Sequence, residues 1–342
     1  MAQIKRAQRI REWALYQLCT PLRWVFDHWM EHKKLVFIYC VMGEGIGDAL
    51  AISTILKSLN QQQGYRGIIF SRHPELFLHN PMVAANISYH ELSSLSRSLF
   101  KTFLRAMRGK HVVCFGGEVW TLGTSPLSDY SIHQEMKEGW VWLKFLLPDG
   151  NVSLDYKTAT PAVYFSPEEF QVYEQKFAGI QPPFALLKAT TGVGRPGGSS
   201  LKDWEIPKFA EVIAQNPEVT WVQVGQTGEP SVPGCLDWLG KTTVREVLYL
   251  LSKSKLLLAT EGFLTHASAA FDVPCVIPFS GMHDYRGLRY PFTIPVVANP
   301  QPICAPCWRD NCNQPGKPCT ANITANQVTV AVRQGLTNTI TT

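Results

Sequence analysis

Short apolar runs alternate with segments whose apolar residues recur every three to four positions, from residue 35 almost to the end of the chain. The runs are predicted to be buried strands, and the segments are predicted to be helices. Strands that take turns with helices are typical of parallel sheets joined by right-handed crossover connections. The alternation therefore predicts an α/β protein.

The predicted elements form two series. In the first, the strands are 35–41, 67–71 and 111–115, and the helices are 47–60, 96–109 and about 131–147. In the second, the strands are 161–165, 184–190, 219–225, 255–260 and 275–280, and the helices are 166–179, 206–216, 243–254, 265–271 and 324–336. Ser166 and Glu169 are predicted to form a capping box. We interpret the two series as two doubly wound halves.

A stretch rich in proline, glycine and polar residues, 148–161, separates the two series. A chain of 342 residues also suits two domains of roughly 150 residues each. The predicted organisation is a basic amphipathic helix at 1–34, a Rossmann-like domain at 35–155, a second at 156–320 with a cysteine cluster at 304–319, and a C-terminal helix and tail at 321–342.

Composition narrows the functional classes. The chain is 45% apolar and 17% charged, which is typical of a globular protein. Its net charge is +5, but residues 1–34 hold seven Lys or Arg against three acids, so the remainder is nearly neutral. That argues against a nucleic-acid surface. No apolar run reaches the roughly 18 residues of a membrane span, and no secretory signal pattern is present, so we expect a cytoplasmic protein.

The N-terminal segment has one apolar stripe at helical spacing, interrupted at Pro21. Its members are Ile10, Ala14, Leu18, Leu22, Val25 and Trp29. Four arginines and three tryptophans accompany the stripe, a combination that suits a helix lying in a membrane interface on the inner face of the cytoplasmic membrane. The alternative is that the helix packs on the body of the protein or on another subunit.

In doubly wound sheets, ligands bind outside the carboxyl ends of the strands. The first loop at such an end, VMGEGIGDAL, holds Gly43, Gly45 and Gly47, and Asp48 opens the next helix. It is neither a dinucleotide-binding pattern nor a Walker A loop. Three glycines let a ligand approach the backbone closely. Asp48 is either a helix-start acid, favourable by about 0.3 to 1 kcal/mol, or a general base.

The next two loops carry polar groups. One begins with Thr190 and Thr191, continues through several glycines, and reaches Lys202 before the next helix. Such a loop can wrap phosphates or can be a mobile surface connection. The other, VGQTGEPSV, offers Gln226 and Glu229. The carboxylate of Glu229 either binds a ribose hydroxyl or lies in solvent.

The fourth loop, TEGFLTHASAAFDVP, leads from a strand into a helix of small residues. The free N–H groups and the dipole of that helix point back toward Gly262 and make an anion site. Glu261, Gly262, Thr265 and His266 lie at this helix start. His266 is either a structural histidine or a donor to a phosphate.

Three motifs resemble the glycosyltransferases of family 9, the heptosyltransferase-like enzymes of bacterial lipopolysaccharide cores. They are GEGIGDAL, the pattern K-x-W-x(2)-P-x-F-A-E-V, and TEGFLTHASAAFDVPCV, and the resemblance spans about residues 35–334. It implies a GT-B fold, in which two Rossmann-like domains face a central cleft. The N-terminal half would bind a glycan or lipid-linked acceptor and the C-terminal half a nucleotide sugar, typically ADP-heptose. The family transfers the sugar with inversion and without a metal.

Carried over by motif, the resemblance makes Asp48 the base and Lys202 the donor-side lysine. Glu261 replaces the acid of the family's Asp-Thr-Gly segment and His266 falls on its histidine. The full set of expected donor-side residues is Thr190, Thr191, Lys202, Gln226, Glu229, Glu261, Gly262, Thr265 and His266. Two positions depart from the family pattern. Glu261 is one methylene longer than the usual aspartate, and Asp272 stands where a glycine often precedes the Val-Pro turn.

Four cysteines near the C-terminus, Cys304, Cys307, Cys312 and Cys319, are spaced C-x2-C-x4-C-x6-C. Four thiolates at this spacing can surround one structural Zn²⁺ or iron ion without leaving an open coordination position. The alternatives are two disulfides or free thiols. No cofactor is expected for catalysis.

Other functions compete with an ADP-heptose transferase. One is a transferase that uses a UDP- or GDP-linked sugar, and another is a non-catalytic, membrane-associated scaffold with the same fold. A nicotinamide dehydrogenase is disfavoured because the glycine fingerprint and its ribose-binding acid are missing. The sequence does not name the acceptor, although the loop at 116–135 is a candidate contributor.

Overall fold

The computed structural model describes residues 20–40, 45–96, 112–115, 160–192, 201–288, 290–307 and 312–337, together with residues 99, 100, 103 and 309. The described residues up to 115 belong to one compact unit, and those from 160 onward belong to a second. No helix within these ranges is long and apolar enough to cross a membrane.

The first unit contains a four-stranded parallel sheet. In chain order its elements are α1 (Thr20–Lys33), β1 (Leu35–Cys40), α2 (Ile46–Gln63), β2 (Arg66–Ser71), β3 (Val83–Ser88) and β4 (Val112–Phe115). The strand order is β3-β2-β1-β4, and each neighbouring pair is parallel. α2 ends at Gly64, whose φ of 75° is the left-handed conformation that glycine adopts at little cost.

α1 packs on this unit through one face and exposes another. Met30 is fully buried and, together with Phe26, packs beside aromatic residues of the β1 and β2 strands. Leu22, Val25 and Trp29, the described end of the predicted stripe, are 66%, 58% and 47% exposed. The described end of the stripe is therefore exposed, and the rest of it, at 10–18, lies outside the described residues.

The second unit contains a six-stranded parallel sheet. Its elements are α3 (Pro167–Lys176), β5 (Phe184–Lys188), α4 (Ile206–Ala214), β6 (Thr220–Gly225), β7 (Cys235–Leu239), α5 (Val244–Lys253), β8 (Leu256–Ala259), α6 (Phe263–Ala270), β9 (Cys275–Pro278), α7 (Tyr285–Leu288), β10 (Thr293–Val296), α8 (Pro318–Ala321) and α9 (Ala325–Thr337). The order is β10-β9-β8-β5-β6-β7, with parallel pairing throughout. This is the strand order of a Rossmann fold.

Local sequence accounts for several of these elements. β8 and β9 are buried at every position, as continuous apolar runs require in a parallel sheet covered on both faces. The predicted capping box of Ser166 and Glu169 is confirmed at the start of α3. Thr243 and Glu246 form a second capping box at the start of α5.

The sheet reverses its winding direction between β5 and β8. The chain leaves β5 toward one edge of the sheet through β6 and β7, and it leaves β8 toward the other edge through β9 and β10. Just past the two strands, the Thr260 N–H donates to the Lys188 carbonyl at 2.9 Å, and the Thr260 hydroxyl donates to the Ala189 carbonyl at 2.8 Å. The loops that follow β5 and β8 therefore lie side by side, at the position where such folds bind ligands.

The prediction of two parallel α/β halves is confirmed, but some elements differ. Residues 161–165 form no strand. Pro161 cannot donate to a ladder, and the Tyr164 carbonyl accepts a hydrogen bond from Arg245 Nη2 at 2.6 Å instead of pairing in the sheet. β3, β7 and β10 were not predicted. The predicted helix at 131–147 and most of the one at 96–109 lie outside the described residues.

Candidate active site

A buried ion pair closes the end of β5. Lys188 Nζ lies 2.8 Å and 2.6 Å from the two carboxylate oxygens of Glu229, and the Glu229 side chain is 0% exposed. The same carboxylate accepts hydrogen bonds from the Thr190 hydroxyl and from the Gln226 N–H, both at 2.8 Å. Burial lowers the pKa of Lys188 below its usual value, although the carboxylate opposes that shift. Glu229 therefore does not lie in solvent; its oxygens hold Thr190 and Gln226 at the strand ends.

A second charged cluster lies where β8 ends. Lys202 Nζ is 2.8 Å from Glu261 Oε1, and His283 Nδ1 is 3.0 Å from that same oxygen. Glu261 is 5% exposed. Its burial acts to raise the pKa, but the charge of Lys202 and the hydrogen bond from His283 outweigh burial and lower the pKa to about 2. Glu261 is thus ionised at neutral pH.

The indole of Trp204 explains how Lys202 reaches this cluster. Trp204 is 2% exposed, and its Nε1–H donates to the carbonyl of Ile323 at 3.1 Å. It also meets Phe209 edge to face, with ring centroids 4.8 Å apart. Because Trp204 is anchored at both its polar and apolar atoms, the backbone two residues before it is fixed near the carboxyl edge of the sheet. In the Lys-x-Trp pattern, the buried tryptophan thus fixes the backbone from which the lysine side chain extends.

Gly262, directly after Glu261, is the residue that precedes α6. The helix starts at Phe263, two residues before the predicted start. Ala267, Ser268 and Ala269 are buried, so the helix lies close to the sheet, as their small side chains permit. The Gly262 N–H donates to the Thr265 hydroxyl at 3.3 Å.

His266 faces Tyr290, with Nδ1 lying 2.9 Å from the Tyr290 hydroxyl. Burial and the charge of Lys202 lower the pKa of His266 to about 4, against a smaller opposing effect of Glu261. Burial also raises the pKa of Tyr290 well above its usual value, so its hydroxyl stays protonated. His266 is therefore a neutral imidazole at pH 7, which can donate a hydrogen bond but carries no charge.

A cavity of about 510 Å³ opens beside the loop that follows β5. It is lined by Thr190, Gly192, Asp203, Trp204, Glu205, Ile206, Pro207, Pro230, Gly316, Lys317 and Thr320. Asp203 lines the cavity, and its Oδ1 accepts a hydrogen bond from the Thr191 N–H at 2.8 Å. The volume is within the range of small-molecule pockets.

The residues predicted in the first unit are only partly described. Gly45 is the residue before α2, with an ordinary φ of −71°, and Gly47 is the second residue of that helix. Asp48 lies in the first turn of α2, at the carboxyl end of β1. Gly43, the Asp48 side chain and the loop at 116–135 lie outside the described residues.

The four C-terminal cysteines are free thiols and are all partly exposed. Within the described part of the chain, no group of three or more His, Cys, Asp or Glu side chains is placed to hold a metal ion. The predicted four-thiolate site is therefore not assembled. The Cys312 sulfur instead engages the backbone of Gln314 at 3.4 Å. Cys307 and Cys319 each reach Gly281, one through its N–H and one through its side chain.

Sequence reasoning missed Lys188, Asp203, His283 and Tyr290. A lysine that closes a run of buried apolar residues, as in FALLK, is a usable signal, because a buried cation needs a partner. His283 follows the predicted strand at 275–280, so the rule about carboxyl ends of strands also applies to it. No local pattern identifies Tyr290.

Comparison with known proteins gives structural matches but no sequence match. No protein-family model matches the chain, and no curated protein matches it. The glycosyl transferase family 9 protein of Veillonella parvula has a TM-score of 0.60 at 13% identity, covering 89% of this chain and 97% of that chain. The ADP-heptose lps heptosyltransferase II of E. coli has a TM-score of 0.56 at 14% identity, covering 89% and 99%.

A third match is the iron-containing dodecameric glycosyltransferase TibC of enterotoxigenic E. coli. Its TM-score is 0.54 at 14% identity, and the match covers 90% of this chain and 77% of that chain. Together the matches define the class of fold: the chain has the fold of GT-B-like glycosyltransferases. More narrowly, it is the fold of the heptosyltransferases of glycosyltransferase family 9, as the resemblance of the motifs predicted.

Proposed function

We propose that the protein is an inverting glycosyltransferase that takes a sugar from a nucleotide diphosphate donor, ADP-heptose being favoured, and transfers it to a glycan or lipopolysaccharide-type acceptor. The observation that carries the proposal is the position of Lys202, 2.8 Å from Glu261 and next to the start of α6. A lysine ammonium beside a helix N-terminus, at the point where a Rossmann sheet reverses, suits a diphosphate.

The fold supports the same proposal. One matched structure is named as an ADP-heptose heptosyltransferase, and another, TibC, was determined with ADP-D-β-D-heptose. These sugar donors are named for the matched proteins and not for this chain. We extend the ADP-heptose donor to this chain because Lys202, Glu261 and His266 meet at the carboxyl ends of β5 and β8. The cavity beside Thr190 offers room for a further part of the donor.

In the proposed reaction, an acceptor hydroxyl oxygen bonds to the anomeric carbon from the face opposite the diphosphate. The bond between that carbon and the diphosphate oxygen breaks, and its electron pair leaves with the nucleotide. Asp48 takes the hydroxyl proton, and Lys202 with the first turn of α6 stabilises the charge that develops on the diphosphate. No step requires a metal.

Calorimetric titration of the purified protein with ADP, UDP and GDP tests the donor site. We expect ADP to bind selectively, and Lys202→Ala to weaken it by about 10- to 100-fold, as expected from the loss of a charge-assisted hydrogen bond. Lys255→Ala is the matched control, because Lys255 is exposed and precedes β8 at the opposite end of the strand. Equal loss in both variants would contradict the assignment of Lys202.

Two arms of the experiment separate the alternatives. Preference for UDP or GDP would favour the transferase that uses another donor base, and no binding of any nucleotide would favour the non-catalytic scaffold.

Asp48→Asn should lower ADP release from ADP-heptose in the presence of acceptor by about 10²- to 10⁴-fold while leaving ADP affinity unchanged. Full transfer by Asp48→Asn would exclude Asp48 as the base. Membrane contact by the N-terminal segment stays a prediction.

We retain one structural Zn²⁺ or iron ion at the four cysteines as a separate proposal. Its support is the spacing of the thiols, together with the approach of both Cys307 and Cys319 to Gly281. Elemental analysis of protein purified without chelator should find about one ion per chain, lowered by Cys312→Ser. Four titratable thiols and no bound metal would show that the cysteines are not ligands.

A further inference from the structure

We propose that His283 is a positioning residue that holds the Glu261 carboxylate while Lys202 moves from Glu261 to the diphosphate of the donor. The inference rests on the proposed function and assigns a role to His283, which is not among the predicted site residues.

The geometry shows one oxygen with two donors. Glu261 Oε1 lies 2.8 Å from Lys202 Nζ and 3.0 Å from His283 Nδ1. The second oxygen, Oε2, is buried and has no hydrogen-bond partner among the residues that the structure describes. The carboxylate therefore depends on these two side chains, and both of its described contacts are made at a single atom.

A diphosphate would draw the Lys202 ammonium away from Glu261, so the carboxylate would lose part of its compensation. If Lys202 turned toward a diphosphate with no other group on Glu261, a buried carboxylate would be left uncompensated, and such charges are strongly unfavourable. The His283 contact removes that obstacle, because it remains on Oε1 after Lys202 leaves. Donor affinity should therefore depend on His283, even though His283 need not touch the diphosphate.

His283 is well placed to stay behind, because its loop is firmly attached. The Met282 N–H donates to the Ser280 hydroxyl at 3.2 Å, and the Gly281 carbonyl accepts the Cys307 N–H at 2.9 Å. A Cβ on Gly281 would lie 2.9 Å from the Ala305 Cβ and 3.0 Å from the Cys319 Cβ. The side chains of Ala305 and Cys319 therefore pack directly against the backbone of Gly281. Lys202, by contrast, carries its charge on a flexible four-carbon stem.

Calorimetric titration with pyrophosphate and with ADP tests the exchange. Pyrophosphate has no sugar hydroxyl for Glu261 to bind, so it isolates the competition for Lys202. We expect His283→Phe to weaken both ligands about tenfold, as expected when one hydrogen bond to a charged group is lost. His283→Asn keeps an N–H donor at a similar distance and should stay within about threefold of the wild type. His90→Phe, an exposed histidine of the first unit, is the matched control.

The decisive comparison removes the charge on Glu261. Glu261→Gln should bind pyrophosphate at least as tightly as the wild type, and adding His283→Phe to it should change affinity by less than about twofold, since no carboxylate remains to be held. This pair also covers the case in which His283→Phe alone fails to fold. A tenfold loss in the Glu261→Gln background, or no loss in the wild-type background, would overturn the inference. A wild-type protein that binds neither ligand, or a Lys202→Ala variant that binds both normally, would instead overturn the proposed function.

Discussion

Glu261 is an ionised group inside the protein, and its pKa links the candidate site to stability. The pKa is about 2 in the folded state, against 4.5 for an unperturbed glutamate, because Lys202 and His283 outweigh the burial that acts to raise it. The folded pKa is the lower one. The stabilisation is therefore fully present above pH 4.5 and is lost as the pH falls toward 2.

We expect the wild type to lose roughly 1 kcal/mol more unfolding free energy than Glu261→Gln when the pH falls from about 5 to about 3.5. Urea unfolding of both proteins at the two pH values measures this difference. Other carboxylates titrate in the same range, but they are common to both proteins and cancel in the comparison. Parallel losses would mean that Glu261 is not held in its ionised form.

At the residue scale, the sequence predicted which residues belong to the site better than it predicted the contacts between them. Lys202, Glu261 and His266 could be named because loops at the carboxyl ends of strands, and the family motifs, point to them. The role of Glu229 could not be derived, because three of its four hydrogen bonds come from Lys188, at the end of β5, and from Thr190, in the loop after it. Contacts between residues far apart in sequence leave no local pattern.

At the scale of elements, the end of α6 explains one departure from the family pattern. Asp272 has a φ of 54°, in the left-handed region, and the following Val273 N–H donates to the Ser268 carbonyl at 3.0 Å. This bond is the one that closes a helix in a Schellman motif, where glycine is the usual residue. Aspartate tolerates the conformation better than most residues but still incurs strain.

Asp272→Gly should therefore stabilise the protein by about 1 kcal/mol, less any gain in the flexibility of the unfolded chain. Asp272→Ala is the matched control and should be less stable than the glycine variant, because alanine has no side-chain oxygen to offset the strain. Thermal unfolding of the three proteins at one pH ranks them. A glycine variant no more stable than the alanine variant would show that the left-handed turn carries little strain.

The strands that the sequence missed share one property. β3, β7 and β10 all lie at the edges of the described sheets, and each has partly exposed positions. An edge strand has only one neighbour and less burial, so it lacks the continuous apolar run by which β5, β8 and β9 were found. β10 even contains Pro295, which edge strands tolerate and which argues against a strand in a local prediction.

At the scale of the whole molecule, the alternation of strands and helices was enough to predict two parallel α/β halves. It was not enough to give the order of the strands. The pairing of β5 with β8 passes over β6 and β7, and no local preference specifies it. That pairing nevertheless creates the site, because it brings Lys188 and Ala189 beside Thr260 and so sets the loops after β5 and β8 next to each other.

The same pairing governs how the second unit is made. During synthesis β5, β6 and β7 leave the ribosome before β8, so β5 has a neighbouring strand on one side only until β8 emerges. During that interval its other side is an open, apolar strand edge, the kind of surface on which nascent chains associate with one another. Arrival of β8 covers that edge and sets the loops after β5 and β8 side by side, on which the later residues of the candidate site assemble. An incomplete nascent chain therefore has neither a finished sheet nor an assembled candidate site.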